Sequence, residues 1–263
     1  MGRQVFLWTV VTVALVCALA VSGVFFLTVL RGAAPPQAAT SETEAEAEAT
    51  SETEAEAAAE ATSPPPTQAQ TPPDWRLLLV NPWNPLPEDY QVELADLGDE
   101  FFIDRRVEPA LTQMLDTARQ EGMDLLVRSA FRTRETQQAL YDNKIKRLIA
   151  QGWSAEEAPQ EAAKWVARPG TSEHEAGLAL DIVAADFTNL TAAQADTPQQ
   201  QWLMANAHRF GFILRYPEEK QSITGIGYEP WHYRYVGPEA AEQIYSSKLC
   251  LEEYLDTLPS PAP

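Results

Sequence analysis

Three short segments carry side chains whose types and spacing could do hydrolytic chemistry. The first is Thr171-Ser172-Glu173-His174-Glu175-Ala176-Gly177-Leu178-Ala179-Leu180-Asp181. Its histidine and aspartate would lie about 23 Å apart, on opposite faces, along a straight strand. Along a helix they would still be about 10 Å apart. They can share a metal ion only if the chain bends between them, and Gly177 is the residue that permits a bend. The second segment is Tyr228-Glu229-Pro230-Trp231-His232-Tyr233-Arg234-Tyr235. Pro230 prevents a helical reading of Glu229 and His232, and a turn running into a strand can aim both into one cleft. Two histidines and an aspartate would leave the fourth position of a zinc ion free for water, as catalytic zinc requires. A nearby carboxylate could then take that water's proton. The third segment, Val127-Arg128-Ser129-Ala130-Phe131-Arg132-Thr133, sets a cation at a strand end just before a helix. Gln137 and Tyr141 follow one and two turns later on one face of that helix.

The elements that must position these groups are mixed. Glu108–Gln120 has an apolar helical face stopped by Gly122, and Thr133–Ala150 reads as a long helix closed by Gly152. Ser154-Ala155-Glu156-Glu157 reads as a capping box opening another helix. Thr197-Pro198 caps a helix running to about Arg209. Asp124–Ala130, Gly177–Val183, Phe212–Tyr216 and Trp231–Val236 read as strands, the second of them buried. Helices and strands do not alternate in a βαβ rhythm. The expectation is therefore an α+β domain with a small, mainly antiparallel sheet and flanking helices around a cleft.

Composition divides the chain of 263 residues into three parts. Residues 5–30 carry no charge between Arg3 and Arg31, and as a helix they would span roughly 39 Å, more than a bilayer core. Residues 1–31 are expected to be an uncleaved membrane anchor, longer than the apolar region of a signal peptide. Cys17 within it reads as a small apolar residue. Residues 32–73 hold eight Glu and no Lys or Arg, with TSETEAEA at Thr40–Ala47 and again at Thr50–Ala57. They read as a disordered, self-repelling stalk. The expected orientation puts the N-terminus in the cytoplasm and everything after Arg31 outside. Residues 74–263 are long enough to carry their own core. A net charge of −19 argues against nucleic acid as a partner, and Cys17 and Cys250 alone cannot build a disulfide scaffold or a four-cysteine zinc site.

Six motifs occur in order: Ser129-Ala130-Phe131-Arg132, Gln137-x-x-Leu140-Tyr141, Ser172-x-His174-x-x-Gly177-x-Ala179-x-Asp181, Trp202-Leu203-x-x-Asn206-Ala207, Phe210-Gly211-Phe212-Ile213-Leu214-Arg215-Tyr216-Pro217 and Glu229-x-Trp231-His232-x-Arg234-Tyr235. Together, over about residues 81–245, the chain resembles the VanY-type D-alanyl-D-alanine carboxypeptidases. These are zinc peptidases of the bacterial cell wall, related in their core to D-Ala-D-Ala dipeptidases and the hedgehog amino-terminal domain. The resemblance implies that His174, Asp181 and His232 hold one Zn2+. It makes Glu229 the general base that later protonates the leaving amine. Arg132 would stabilise the oxyanion or grip the terminal carboxylate, with Ser172 and Gln137 hydrogen-bonding the substrate's end. Where the family has Gly-Tyr-Arg, this chain has Ala130-Phe131-Arg132 and lacks that tyrosine hydroxyl.

The implied partners are peptidoglycan stem peptides and, through the N-terminal helix, the membrane. The implied activity is removal of the terminal D-Ala outside the cell. An LD-carboxypeptidase or a peptidoglycan endopeptidase would use the same metal set, and a non-catalytic cell-wall binding module would have no need of Glu229. Outside the motifs, Glu173 and Glu175 read as solvated, Arg128 as a satisfied strand charge, and His208 as structural or surface. Trp231 reads as core packing rather than a substrate platform.

Overall fold

Two antiparallel sheets organise residues 74–259, the part of the chain described by the computed structural model. β1 (Leu94–Gly98) and β2 (Phe101–Asp104) form a hairpin. The larger sheet has the order β3 (Leu125–Ser129), β4 (Ala179–Ala184), β6 (His232–Tyr235), β5 (Phe212–Leu214), with every neighbouring pair antiparallel. The α+β expectation with flanking helices is met. The anchor at 5–30 and the stalk at 32–73 lie outside the described residues. Among the described residues, no helix is long and apolar enough to cross a membrane.

Side-chain caps mark the starts of some helices, and prolines in the first turn mark others. α1 spans Glu108–Gln120, the expected limits. α2 (Arg134–Ala150) starts one residue late because Thr133 is its cap, accepting the Thr136 amide at 3.2 Å. Half of the Ser154–Glu157 box forms, with the Glu157 amide 3.1 Å from Ser154 Oγ, while the Glu157 carboxylate accepts from that hydroxyl at 2.7 Å. It closes a turn ahead of α3 (Ala158–Ala163) rather than the first turn of that helix. α4 (Pro198–Asn206) is capped by Thr197 and runs on as a 3-10 turn to Phe210. α5 (Gln221–Thr224), α6 (Pro238–Ser247) and α7 (Leu251–Thr257) complete the chain. The β1–β2 hairpin was not anticipated. Its turn places Asp99 and Glu100 at positive φ, 51° and 64°, with neither an Asn-Gly nor an Asp-Gly pair to announce it.

Side-chain alternation gives the larger sheet two different faces. Leu180 and Ile182 of β4, Tyr233 and Tyr235 of β6, and Phe212 and Leu214 of β5 pack with Leu111 and Met114 of α1 and Leu203 of α4. The intervening positions are Asp181, His232 and Arg234, with Arg215 just past β5, and all four are buried. Farther along the same face Ile213 joins Val236, Ile244 of α6, and Leu251 and Tyr254 of α7. The candidate chemistry thus occupies the second face of the sheet whose first face is the core.

Gly177 makes the bend that the His174–Asp181 spacing demands. Its φ is +70°, its carbonyl accepts the Asp104 amide at 3.0 Å, and a Cβ there would lie 3.1 Å from that amide nitrogen. Gly98 has a φ of +85° but open space around it. Gly98→Ala should cost about 1–2 kcal/mol, the left-handed penalty alone. Gly177→Ala should cost more, about 2–4 kcal/mol, because crowding adds to that penalty. Urea unfolding of the two variants checks this; equal losses would show that the Asp104 contact is immaterial.

Candidate active site

Strand register brings the first two candidate ligands together. Asp181 and His232 are paired directly across β4 and β6, where opposed side chains stand side by side. A bulge between Val127 and Ser129 puts Ser129 opposite Asp181 on the other flank. His174 arrives from the loop closed by Gly177, whose amide donates to the His174 carbonyl at 3.1 Å. His174 Nε2 lies 3.4 Å and His232 Nδ1 3.3 Å from the same oxygen, Asp181 Oδ1. One ligand atom from each of the three buried residues lies within 4.8 Å of the other two.

This cradle fits a zinc ion. Asp181 Oδ1 is buried and has no hydrogen-bond partner, and the two ring nitrogens converge on it. Tetrahedral zinc with bonds of about 2.0–2.1 Å holds its ligand atoms about 3.3–3.4 Å apart, which matches both separations. The remaining polar atoms are occupied. His174 Nδ1 donates to the Ala130 carbonyl at 2.8 Å, leaving the Nε2 lone pair free. Asp181 Oδ2 accepts from Arg132 Nη2 at 2.6 Å. Glu229 Oε2 stands beside the cradle, 3.8 Å from His232 Nδ1; Pro230 and Trp231 make the turn between them.

Burial disfavours charge throughout this site, and neighbours decide each outcome. Burial pushes the Asp181 carboxyl up, but His174 and Arg132 prevail and hold it well below the usual range. Burial, aided by the Arg132 charge, takes His174 down to about 4. Burial would also lower His232, yet the Asp181 and Glu173 carboxylates raise it to about 9 in the metal-free protein. Burial raises Glu229 to about 8 against the opposing pull of His232.

The implied substrate residues lie near this cradle, and Arg132 and Gln137 are already engaged. Arg132 donates to Ser129 Oγ at 2.9 Å and to Gln137 Oε1 at 3.4 Å, besides holding Asp181. Gln137 is buried and its amide donates to the Ala167 carbonyl at 2.7 Å. Ser172 is buried two residues from His174. Tyr141 donates to the Pro159 carbonyl at 2.7 Å. Trp231 is buried, in keeping with core packing, while Arg128 is exposed on β3. His208 lies outside the cradle, stacked on Tyr245 with ring centroids 3.8 Å apart.

Two expectations are corrected. Glu173 is not solvated: it is wholly buried, because Arg215 Nε and Arg234 Nη1 each donate to its Oε1 at 2.7 Å. Glu175 is not solvated either, since it accepts the Gly170 amide at 2.8 Å and closes the Arg168–Thr171 turn. Glu173, Arg215, Arg234 and Glu252 were missed as a group. A signal was available in the arginines that alternate with buried aromatics in β5 and β6, because a buried guanidinium requires a buried carboxylate.

Comparison with known proteins gives a consistent picture. A family model described as VanY: D-alanyl-D-alanine carboxypeptidase matches residues 100–238. A D-alanyl-D-alanine carboxypeptidase of Enterococcus faecalis is 49% identical over 184 residues, covering 70% of this chain and 67% of the relative. Two solved structures of VanY proteins are similar to this chain. One, VanYB in complex with D-alanine-D-alanine, has a TM-score of 0.66 and 48% identity, over 71% of this chain and 100% of that one. The other, a glutamate-to-alanine variant in complex with Zn(II), has a TM-score of 0.64 and 47% identity, over 69% and 99%.

A proton on His232 competes with a metal for Nδ1, whereas His174 is neutral above about pH 4. Below pH 9 at least one proton must therefore leave for each zinc bound, and Glu229 adds to the release where it is protonated. The apparent zinc association constant should rise at least about tenfold per pH unit between pH 6 and 8, measured by competition with a chromophoric chelator. An affinity independent of pH would show that His232 is not a ligand.

Proposed function

Because the chain belongs to the VanY family of D-alanyl-D-alanine carboxypeptidases, we propose that it is a zinc-dependent enzyme that removes the terminal D-Ala from peptidoglycan stem peptides. One observation carries the reading: a buried His174–Asp181–His232 cradle of zinc dimensions with a buried carboxylate, Glu229, at its edge. A purely structural zinc would be closed by a fourth protein ligand and would have no use for an adjacent base. The relatives in complex with Zn(II) and with D-alanine-D-alanine support the same ion and the same kind of substrate.

Zinc in this cradle supplies a Lewis acid that makes water acidic and polarises the scissile carbonyl. The chain's own residues do the rest. Glu229 accepts the proton of the attacking water at its carboxylate and returns it to the nitrogen of the departing D-Ala. Burial gives it a pKa of about 8, which a cation in the cradle lowers, so it can both take and release a proton near neutrality. Arg132 holds Asp181 in its ligating orientation, and its side chain keeps 17% exposure. That leaves positive charge at the rim for the substrate's terminal carboxylate or the developing oxyanion. Gln137 supports Arg132 from behind, and Ser172 flanks His174.

The proposed setting is the outer face of the bacterial membrane. Residues 1–31 would anchor the chain with its N-terminus in the cytoplasm, 32–73 would act as a stalk, and 74–263 would form the catalytic domain.

Glu229→Gln keeps the side chain's size but cannot accept a proton. It should retain zinc and lower kcat on a stem pentapeptide about 10²–10⁴-fold, followed as released D-Ala by mass spectrometry. Wild-type turnover in this variant would show that the base is misassigned. Arg132→Ala should weaken zinc as well as catalysis, because Asp181 Oδ2 loses its partner. Tetrapeptides and cross-linked muropeptides belong in the same assay. Exclusive cleavage of either would replace the D-Ala-D-Ala reading with LD-carboxypeptidase or endopeptidase activity, and binding without cleavage would make the domain a wall-binding module.

A further inference from the structure

The carboxylate behind His232 takes no part in the steps above, yet much of the domain's buried charge is arranged around it. Glu173 Oε2 faces His232 Nε2 at 3.4 Å. Its Oε1 is gripped by Arg215 and Arg234, both fully buried. Arg215 turns its other two nitrogens to Glu252 at the start of α7, at 2.9 and 2.7 Å, and Glu252 Oε1 also accepts from Asn81 Nδ2 at 3.1 Å. Arg234 gives its remaining donors to the carbonyls of Arg76, Leu78 and Tyr235. Asn81 and Glu252 lie outside residues 100–238, the stretch that the family model matches.

We propose that Glu173 is a positioning residue that decides which nitrogen of His232 meets the metal, held in place by a frame that reaches from Asn81 to α7. The inference rests on the zinc reading above. An ionised carboxylate only accepts hydrogen bonds, so Oε2 requires the proton of the neutral ring to sit on Nε2. Nδ1 is then left with its lone pair aimed into the cradle, where it lies 3.3 Å from Asp181 Oδ1. His174 solves the same problem in mirror fashion: the Ala130 carbonyl keeps its proton on Nδ1 and frees Nε2. Each ligating histidine thus has a fixed acceptor behind it, one from the backbone and one ionic. Such outer partners commonly govern metal affinity by 10–100-fold.

The frame makes the amide substitution unusually informative. Two guanidiniums point at Oε1, so Glu173→Gln must place its carbonyl oxygen there and its NH2 group toward His232 Nε2. An NH2 group only donates. Nε2 must then become the acceptor, and the ring proton moves to Nδ1, where it blocks the metal.

The test uses the full-length chain, its Glu173→Gln and Glu173→Asp variants, and zinc itself. Zinc affinity is measured by chelator competition, and the tautomer of His232 is read from 15N shifts of the metal-free protein at a pH where the ring is neutral. Glu173→Gln should bind zinc 10–100-fold more weakly and show the proton on Nδ1; Glu173→Asp, which keeps the charge, should recover the Nε2–H form and part of the affinity. A merely structural role would lower thermal stability without moving the tautomer. Unchanged affinity and tautomer in Glu173→Gln would overturn the inference, whereas a wild type that binds no zinc would overturn the metal reading instead. If Glu173→Gln does not fold, the wild type loaded with 113Cd decides. Coupling to His232 Nδ1, with a slowly exchanging proton on Nε2, supports the assignment, and coupling to Nε2 overturns it.

Discussion

Two arginines with no solvent exposure, Arg215 and Arg234, share one carboxylate oxygen, and the domain is assembled around that contact. Each buried ion carries a desolvation cost of several kcal/mol, repaid only when its charge and hydrogen-bonding groups are matched. Here every guanidinium nitrogen finds an acceptor. Glu173 and Glu252 balance the two guanidiniums, and the backbone carbonyls of Arg76, Leu78 and Tyr235 accept from the other nitrogens of Arg234. The consequence is that five separate stretches of chain meet: the segment at 76–81, the metal loop, the end of β5, β6 and α7. Unpairing one such partner ordinarily costs about 3–5 kcal/mol, so none of these stretches can drift without the others.

The metal cradle inherits this rigidity. His232 and Arg234 are alternate residues of one strand, on the face opposite Tyr233 and Tyr235. Asp181 sits between two kinds of cation site: Arg132 on Oδ2 and the histidine pair on Oδ1. That division leaves a single carboxylate oxygen for a metal and fixes its direction. The fold therefore holds these three side chains together without an ion, as electrostatic preorganisation requires.

Much of this was legible in residue order, and the exceptions have physical causes. The grouping of His174, Asp181 and His232 was implied by the resemblance of their motifs to the VanY family, whereas the need for a bend at Gly177 and the limits of α1 follow from spacing, from glycine's freedom at positive φ and from helical periodicity. The buried state of Glu173 does not. Flanked by His174 in a polar loop, it looks solvated until Arg215 and Arg234 converge from β5 and β6, forty or more residues later in the chain. Arg132 and Gln137 read as donors for a substrate, and the packed structure shows that they also hold Asp181, Ser129 and the Ala167 carbonyl. Local pattern reports faces and turns; it does not report which distant charge a side chain will find. The β1–β2 turn escaped for a different reason, since acidic residues at positive φ are held there by the hairpin itself.

The direct pairing of Asp181 with His232 carries a consequence for how such a domain can change over evolutionary time. Side chains in a strand obey parity: a slip of one residue sends every odd position to the even face. In β4 and β6 the same parity sorts Leu180, Ile182, Tyr233 and Tyr235 into the interior and the ligands onto the opposite face. A single-residue insertion within either strand would therefore erase the core and the cradle in one step. Changes in chain length are tolerated where parity has no jurisdiction, in the connections between the strands, while the two central strands stay locked in count.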